Sequence, residues 1–112
     1  MNLSEMQKEV HACAVQKGWW EGGPARANLF EKAALFHSEI SEWVEDLRVG
    51  LEPKSMRKDR TGKPVGPAIE MADIIIRLLD VAEAFGVDLE AAIRIKMDYN
   101  WTRPHRHGGK VA

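Results

Sequence analysis

The sequence predicts an all-α domain of about four helices, packed as a bundle that completes its core by oligomerising. Three observations carry this. The stretch Ile69 to Asp80 (IEMADIIIRLLD) is apolar on nearly every side and holds neither Gly nor Pro, and a helix hydrophobic all round lies inside something. Three other segments repeat apolar residues at helical spacing between Gly, Pro or capping residues. No segment carries a strand signal. In a chain of 112 residues, so apolar a helix asks for more cover than one copy supplies.

The first helix starts at Asn2 or Ser4, either of which can cap it, and stops at Gly18. Met6, Val10 and Cys13 or Ala14 form its stripe, with Cys13 read as a buried, inert thiol. A turn-rich loop follows, Trp19-Trp20-Glu21-Gly22-Gly23-Pro24. Its two indoles either cap the core or frame a flat ligand. The second helix runs from Asn28, with Glu31 completing a capping box, to Val49. Leu29, Ala33, Phe36, Ile40, Trp43, Val44 and Leu47 give it a broad apolar face.

Residues 51–66 make a basic loop broken by Pro53, Gly62 and Pro64, with Lys54, Arg57, Lys58, Arg60 and Lys63. It reads as a solvated connector or as a lid that meets phosphates. The third helix begins near Pro67 and ends at Gly86. If it is central, Ile75→Ala should destabilise by roughly 2–5 kcal/mol. Asp88 caps the fourth helix, which carries Leu89, Ala92, Ile93, Met97 and Trp101 until Pro104 ends it. A basic tail over 104–112 is expected to be extended. Residues 1–112 thus read as one domain.

The totals exclude several classes. A net charge of −1 supplies no bulk attraction to nucleic acid or to a membrane surface. No run approaches a transmembrane span, and the N-terminus reads as a charged helix rather than a leader. A lone cysteine suits a reducing cytoplasm.

Acidic spacing is the feature with chemical content. Glu39 and Glu42 lie three apart on the second helix, and Glu70 and Asp73 repeat that spacing on the third. Each pair therefore shares a helix face. Neither Glu39 nor Glu42 has a Lys or Arg three or four positions away. Asp73 has Arg77 four residues on as a local partner, and Glu70 has none. Burying like charges is costly unless a cation neutralises them. Four carboxylates without a placed His or Cys suit a hard ion such as Mg²⁺. His105 and His107, spaced i, i+2 with no cysteine companion, do not make a zinc site; His11 reads as a surface residue and His37 as a core-edge one. On the fourth helix Lys96, Asn100 and Arg103 follow i, i+4, i+7 and form a row fit to grip phosphate, next to Arg106 and Lys110. Together these point to metal-assisted hydrolysis of a polyphosphate.

The combination Glu39-x-x-Glu42, Glu70-x-x-Asp73 and Lys96-x-x-x-Asn100-x-x-Arg103, with KGWW at 17–20, HSEISEWVEDLR at 37–48, EMADIIIRLLD at 70–80 and YNWTRPHRHGGK at 99–110, resembles the MazG-like nucleotide pyrophosphohydrolases. The resemblance covers most of the chain. It implies a helical fold that assembles as dimers or tetramers with sites near subunit interfaces. It further implies Mg²⁺-dependent (or Mn²⁺-dependent) hydrolysis of a nucleoside or deoxynucleoside triphosphate to monophosphate and pyrophosphate. Carried over by position, Glu39, Glu42, Glu70 and Asp73 would bind metal, and Lys96, Asn100 and Arg103 would hold phosphates. Glu42 or Glu39 is the choice for activating water, and Trp19 and Trp20 for stacking the base. Many relatives place an acidic residue directly before the first motif glutamate, where Ser38 stands here. A non-catalytic helical assembly module and a nucleic-acid adaptor using the basic loop and tail are the alternatives.

Overall fold

A computed structural model describes residues 1–112, the side chains of residues 26 and 27 excepted. The protein is all-α: α1 (Leu3–Gln16), α2 (Arg26–Arg48), α3 (Pro67–Ala84), α4 (Leu89–Thr102) and a short α5 (Arg106–Gly109). Between α2 and α3 the chain makes an unexpected hairpin, β1 (Arg57–Lys58) antiparallel to β2 (Pro64–Val65), pairing Arg57 with Val65 and Lys58 with Pro64.

Local chemistry sets the boundaries. The Asn2 side chain accepts from the Glu5 N–H at 2.8 Å and caps α1. Ser4 is drawn elsewhere: its hydroxyl donates to Glu90 Oε2 at 3.0 Å, tying α1 to the start of α4. Asp88 caps α4 through the Ala91 N–H at 3.0 Å. In contrast, α2 starts two residues before the predicted Asn28 cap, with Ala25 at the cap position and no side-chain bond. Asn28 instead donates its N–H to the Ala25 carbonyl at 2.9 Å, inside the first turn. The tail is not extended. It closes into a turn with Arg106 and His107 at positive φ, and Lys110 N–H reaches the Arg106 carbonyl at 2.8 Å.

The third helix is the hub. It packs on α1 and on α2, and β2 abuts it near its start. Gly66 makes that entry possible: at φ +118 a Cβ would sit 2.6 Å from the Ser55 carbonyl oxygen. Pro67, which follows at the first helical position, is fully buried. Leu79 is 1% exposed, and Ala82 and Trp20 join it in the core. Gln7 is buried among them because its amide donates to Glu83 Oε1 (3.0 Å) and the Val87 carbonyl (2.9 Å).

Much of the apolar surface stays outside this core. Ile40, Val44, Met71, Ile75, Ile76, Leu78, Ile93 and Met97 are all exposed in the single chain. The chain exposes 8776 Å², whereas a compact protein of 12.6 kDa exposes about 6,200 Å². The radius of gyration, 16.7 Å, likewise exceeds the roughly 13 Å expected for this length. Ile75 is 48% exposed, so its position does not match the buried one assumed for it from sequence. Among the described residues, no helix is long and apolar enough to cross a membrane.

Candidate functional site

The pairing of α2 with α3 brings acids from both helices together. Carboxylate oxygens of Glu39, Glu70 and Asp73 lie within 4.8 Å of one another. Glu42 stands outside that trio, on the wall of the adjoining cleft. Arg77 does not pair with Asp73 on its own helix. Its Nε (3.1 Å) and Nη2 (2.8 Å) both donate to Glu39 Oε1 across the α2–α3 interface. The missing local counter-charge for Glu39 therefore comes from another helix.

Glu70 has no such help. Its Oε2 is buried with no hydrogen-bond partner among the described residues, an arrangement that costs on the order of 1–3 kcal/mol for a neutral group and more for a charged one. Burial pushes its pKa above the ordinary 4.5, and the charges of Glu42, Asp73, Asp46 and Glu39 push the same way. Asp73 is raised above 3.8 by burial and by Glu39, with Lys63 and Arg77 opposing. An orphaned buried oxygen, an all-oxygen donor set and like charges at close quarters fit a hard divalent cation.

These raised values set a direction for stability. The native state holds the Glu70 and Asp73 protons more tightly than the unfolded chain, so their contribution to metal-free stability is present at low pH. It is lost as the pH climbs past 3.8 and 4.5 through the raised native values. Metal-free Asp73→Asn should therefore unfold at higher urea than wild type at pH 7. The expected shift is about 0.3 M, taking about 0.5 kcal/mol for relief of a like-charge contact and a slope of 1–3 kcal/mol/M. Toward pH 4 the gap should close. Equal midpoints at both pH values would contradict the repulsion.

Two of the trio, Glu39 and Asp73, line a cleft of about 930 Å³ between α1 and α2, floored by α3, within the size range of small-ligand sites. Glu9, Glu39, Glu42, Asp73 and Asp80 bring negative charge to its lining, and Lys17, Lys32, Lys63 and Arg77 bring positive charge. Trp19, 71% exposed, stands at the rim. Cys13 is exposed and also lines the cleft, because α1 turns that face toward the opening rather than into the core.

Trp20 lies in the core instead, 8% exposed. Its indole N–H donates to both Asp80 oxygens at 3.0 Å. Its ring meets His11 and Phe85 edge-on, at centroid separations of 5.6 and 6.1 Å, and Lys32 Nζ sits 4.6 Å from its centre. No ring face is left for a base. His11 is half-buried rather than superficial, with Nδ1 2.7 Å from Asp80 Oδ1, while His37 is exposed rather than at a core edge.

Lys96, Asn100 and Arg103 do not line the cleft of their own chain. Lys96 and Asn100 sit on α4, whose residues are exposed along its length beyond Glu90; Arg103 is the half-buried residue that ends it, and Lys96 and Arg103 lie over the Tyr99 ring at 4.9 and 5.7 Å. Sequence reading missed Arg77 and Asp80 as cleft residues. The signal was there, since Asp73, Arg77 and Asp80 follow i, i+4, i+7 and so share one helix face. Comparison with protein-family models, with curated proteins and with solved structures returns no match to this chain, and the site stands on its own geometry.

Proposed function

We propose that this chain is a Mg²⁺-dependent nucleoside triphosphate pyrophosphohydrolase that acts on the cytoplasmic nucleotide pool, with deoxynucleoside triphosphates as the favoured class. The observation that carries the reading is the buried, unpartnered Glu70 Oε2 within a three-carboxylate cluster beside a cleft that also holds lysines. Such a site binds a cation on one side and an anion on the other, which is the chemistry of a metal–polyphosphate complex. Glu39, Glu70 and Asp73 would hold the ion, with Mn²⁺ able to replace Mg²⁺. When bound, the ion polarises a phosphoryl oxygen and lowers the pKa of water. Glu42, which lines the cleft wall outside the trio, would take the proton of the attacking water. Water adds at the α-phosphorus, the bond to the α–β bridging oxygen breaks, and pyrophosphate leaves. Trp19 at the rim offers the exposed indole for the base.

In this reading the enzyme is a homo-oligomer. The surface excess, roughly 2,600 Å² over a compact chain, is of the size of an obligate interface. A second copy would also be the source of a phosphate grip from Lys96, Asn100 and Arg103, which are absent from the cleft of their own chain.

The test is a panel of ribo- and deoxyribonucleoside triphosphates with Mg²⁺ or EDTA, following pyrophosphate and monophosphate. Equimolar release of both, abolished by EDTA, is expected. Orthophosphate release, or no turnover with any triphosphate, would overturn the assignment.

A further inference from the structure

The hairpin between α2 and α3 is built as a rigid arm, and its rigidity delivers one lysine. Asp59 Oδ1 accepts from the Thr61 N–H (2.8 Å), the Thr61 hydroxyl (2.7 Å) and the Lys63 N–H (3.1 Å). The backbone closes the same loop: Asp59 N–H reaches the Lys63 carbonyl at 2.9 Å, and Gly62 N–H the Asp59 carbonyl at 3.0 Å. Five hydrogen bonds over five residues leave the loop little freedom. At its base the Ala68 N–H holds the Ser55 carbonyl at 3.3 Å, beside the close approach that only Gly66 allows. The arm is thus anchored to the first turn of α3, the helix that carries Glu70 and Asp73.

Lys63 is the hairpin residue that enters the cleft. It lines the same wall as Asp73, and its charge acts on that carboxylate. Yet Lys63 forms no ion pair among the described residues, where the pairs present are His11–Asp80 and Arg77–Glu39. Lys17, which also lines the cleft, likewise forms no ion pair among the described residues. Lys58, on the neighbouring strand, is exposed and away from the cleft. An ammonium at the rim of an acidic site without a carboxylate partner is suited to an anion that arrives with a metal ion.

We propose that Lys63 is a substrate-binding residue that contacts the outer phosphates of the polyphosphate and sets the preference for triphosphates over monophosphates. The proposal rests on the pyrophosphohydrolase reading and adds to it a phosphate contact from within the same chain. Asp59 is its positioning residue, because it fixes the loop from which Lys63 projects.

Magnesium tripolyphosphate, which carries no base, probes this contact directly in calorimetric titrations of the full chain, with orthophosphate as the short-anion control. Lys63→Ala should weaken tripolyphosphate about tenfold and leave orthophosphate within twofold, as expected for loss of one charge-assisted contact. Lys63→Arg should retain affinity, and Lys58→Ala, an equal loss of charge on the same hairpin, should match wild type. Asp59→Ala should weaken tripolyphosphate severalfold, with Asp59→Asn, which keeps the accepting oxygen, closer to wild type. The proposal is overturned if wild type fails to bind tripolyphosphate. It is equally overturned if Lys63→Ala binds tripolyphosphate within twofold of wild type, or if Lys58→Ala weakens it as much. Failure of the hydrolase reading has a separate signature: wild type binds tripolyphosphate in a Lys63-dependent way but releases no pyrophosphate from any triphosphate in the panel.

Discussion

Replacing Glu70 by glutamine should cut Mg²⁺-dependent pyrophosphate release by at least about 100-fold, as expected when several kcal/mol of metal-derived stabilisation are lost at about 1.4 kcal/mol per decade. The substitution keeps the shape of the side chain and removes its charge. Because Glu70 Oε2 is buried without a donor, the negative charge is a liability in the metal-free protein. The amide relieves the repulsion from Glu42, Asp73, Asp46 and Glu39, so the metal-free variant should remain folded and unfold no earlier than wild type. Activity and stability therefore move in opposite directions, which a merely structural carboxylate would not produce. Calorimetric titration with Mg²⁺ should show the same loss, with binding at least tenfold weaker. Glu42→Gln supplies the contrast: as the proposed proton acceptor outside the trio, it should lower kcat while Mg²⁺ affinity stays within a few-fold. Undiminished turnover in Glu70→Gln would place the active site elsewhere.

Why parts of this site were legible in the sequence, and parts were not, follows from how local each feature is. Helix phase is local. The i, i+3 spacing was enough to give each acidic pair one face, and the apolar run from Ile69 was enough to make α3 the hub. Convergence of Glu39 with Glu70 and Asp73 needed one more step, the cost of buried like charge, and that step held for three of the four acids. Partners across helices are not local. Arg77 looked like the neighbour of Asp73, yet at this rotation of α3 against α2 it bonds Glu39. His11 and Asp80 are far apart in sequence and could not be matched by spacing. Neighbouring tryptophans suggest a single role, but adjacent residues in a turn diverge: the Trp20 N–H meets a carboxylate and the ring lies inside, and Trp19 stands at the rim. The hairpin leaves no pattern in the sequence because two-residue strands have no periodicity; its determinants are Asp59, Gly62 and Gly66, which read only as loop composition.

Leu79→Ala should destabilise the protein by about 3–5 kcal/mol, the upper range for a fully buried leucine whose cavity cannot collapse. Leu79 is 1% exposed on the helix that packs against both α1 and α2, so neither neighbour can close the gap without leaving its other contacts. Set against a total of roughly 6–17 kcal/mol for a chain this long, that is a large share. Ile75→Ala on the same helix is the informative partner, since both residues are aliphatic and one turn apart. Ile75 is 48% exposed in the single chain. There its truncation should cost about 1 kcal/mol, roughly half the transfer free energy of a buried side chain. In an oligomer that covers α3, the cost should rise toward the 2–5 kcal/mol of a core position and should appear as a stability that depends on protein concentration. Urea unfolding of both variants over a hundredfold range of concentration, alongside sedimentation, separates the cases. Leu79→Ala should lose stability at every concentration, whereas the penalty for Ile75→Ala should grow wherever wild type assembles and the variant does not. A small, concentration-independent penalty at Ile75, with wild type monomeric throughout, would mean that the exposed apolar face of α3 is not covered by a second copy.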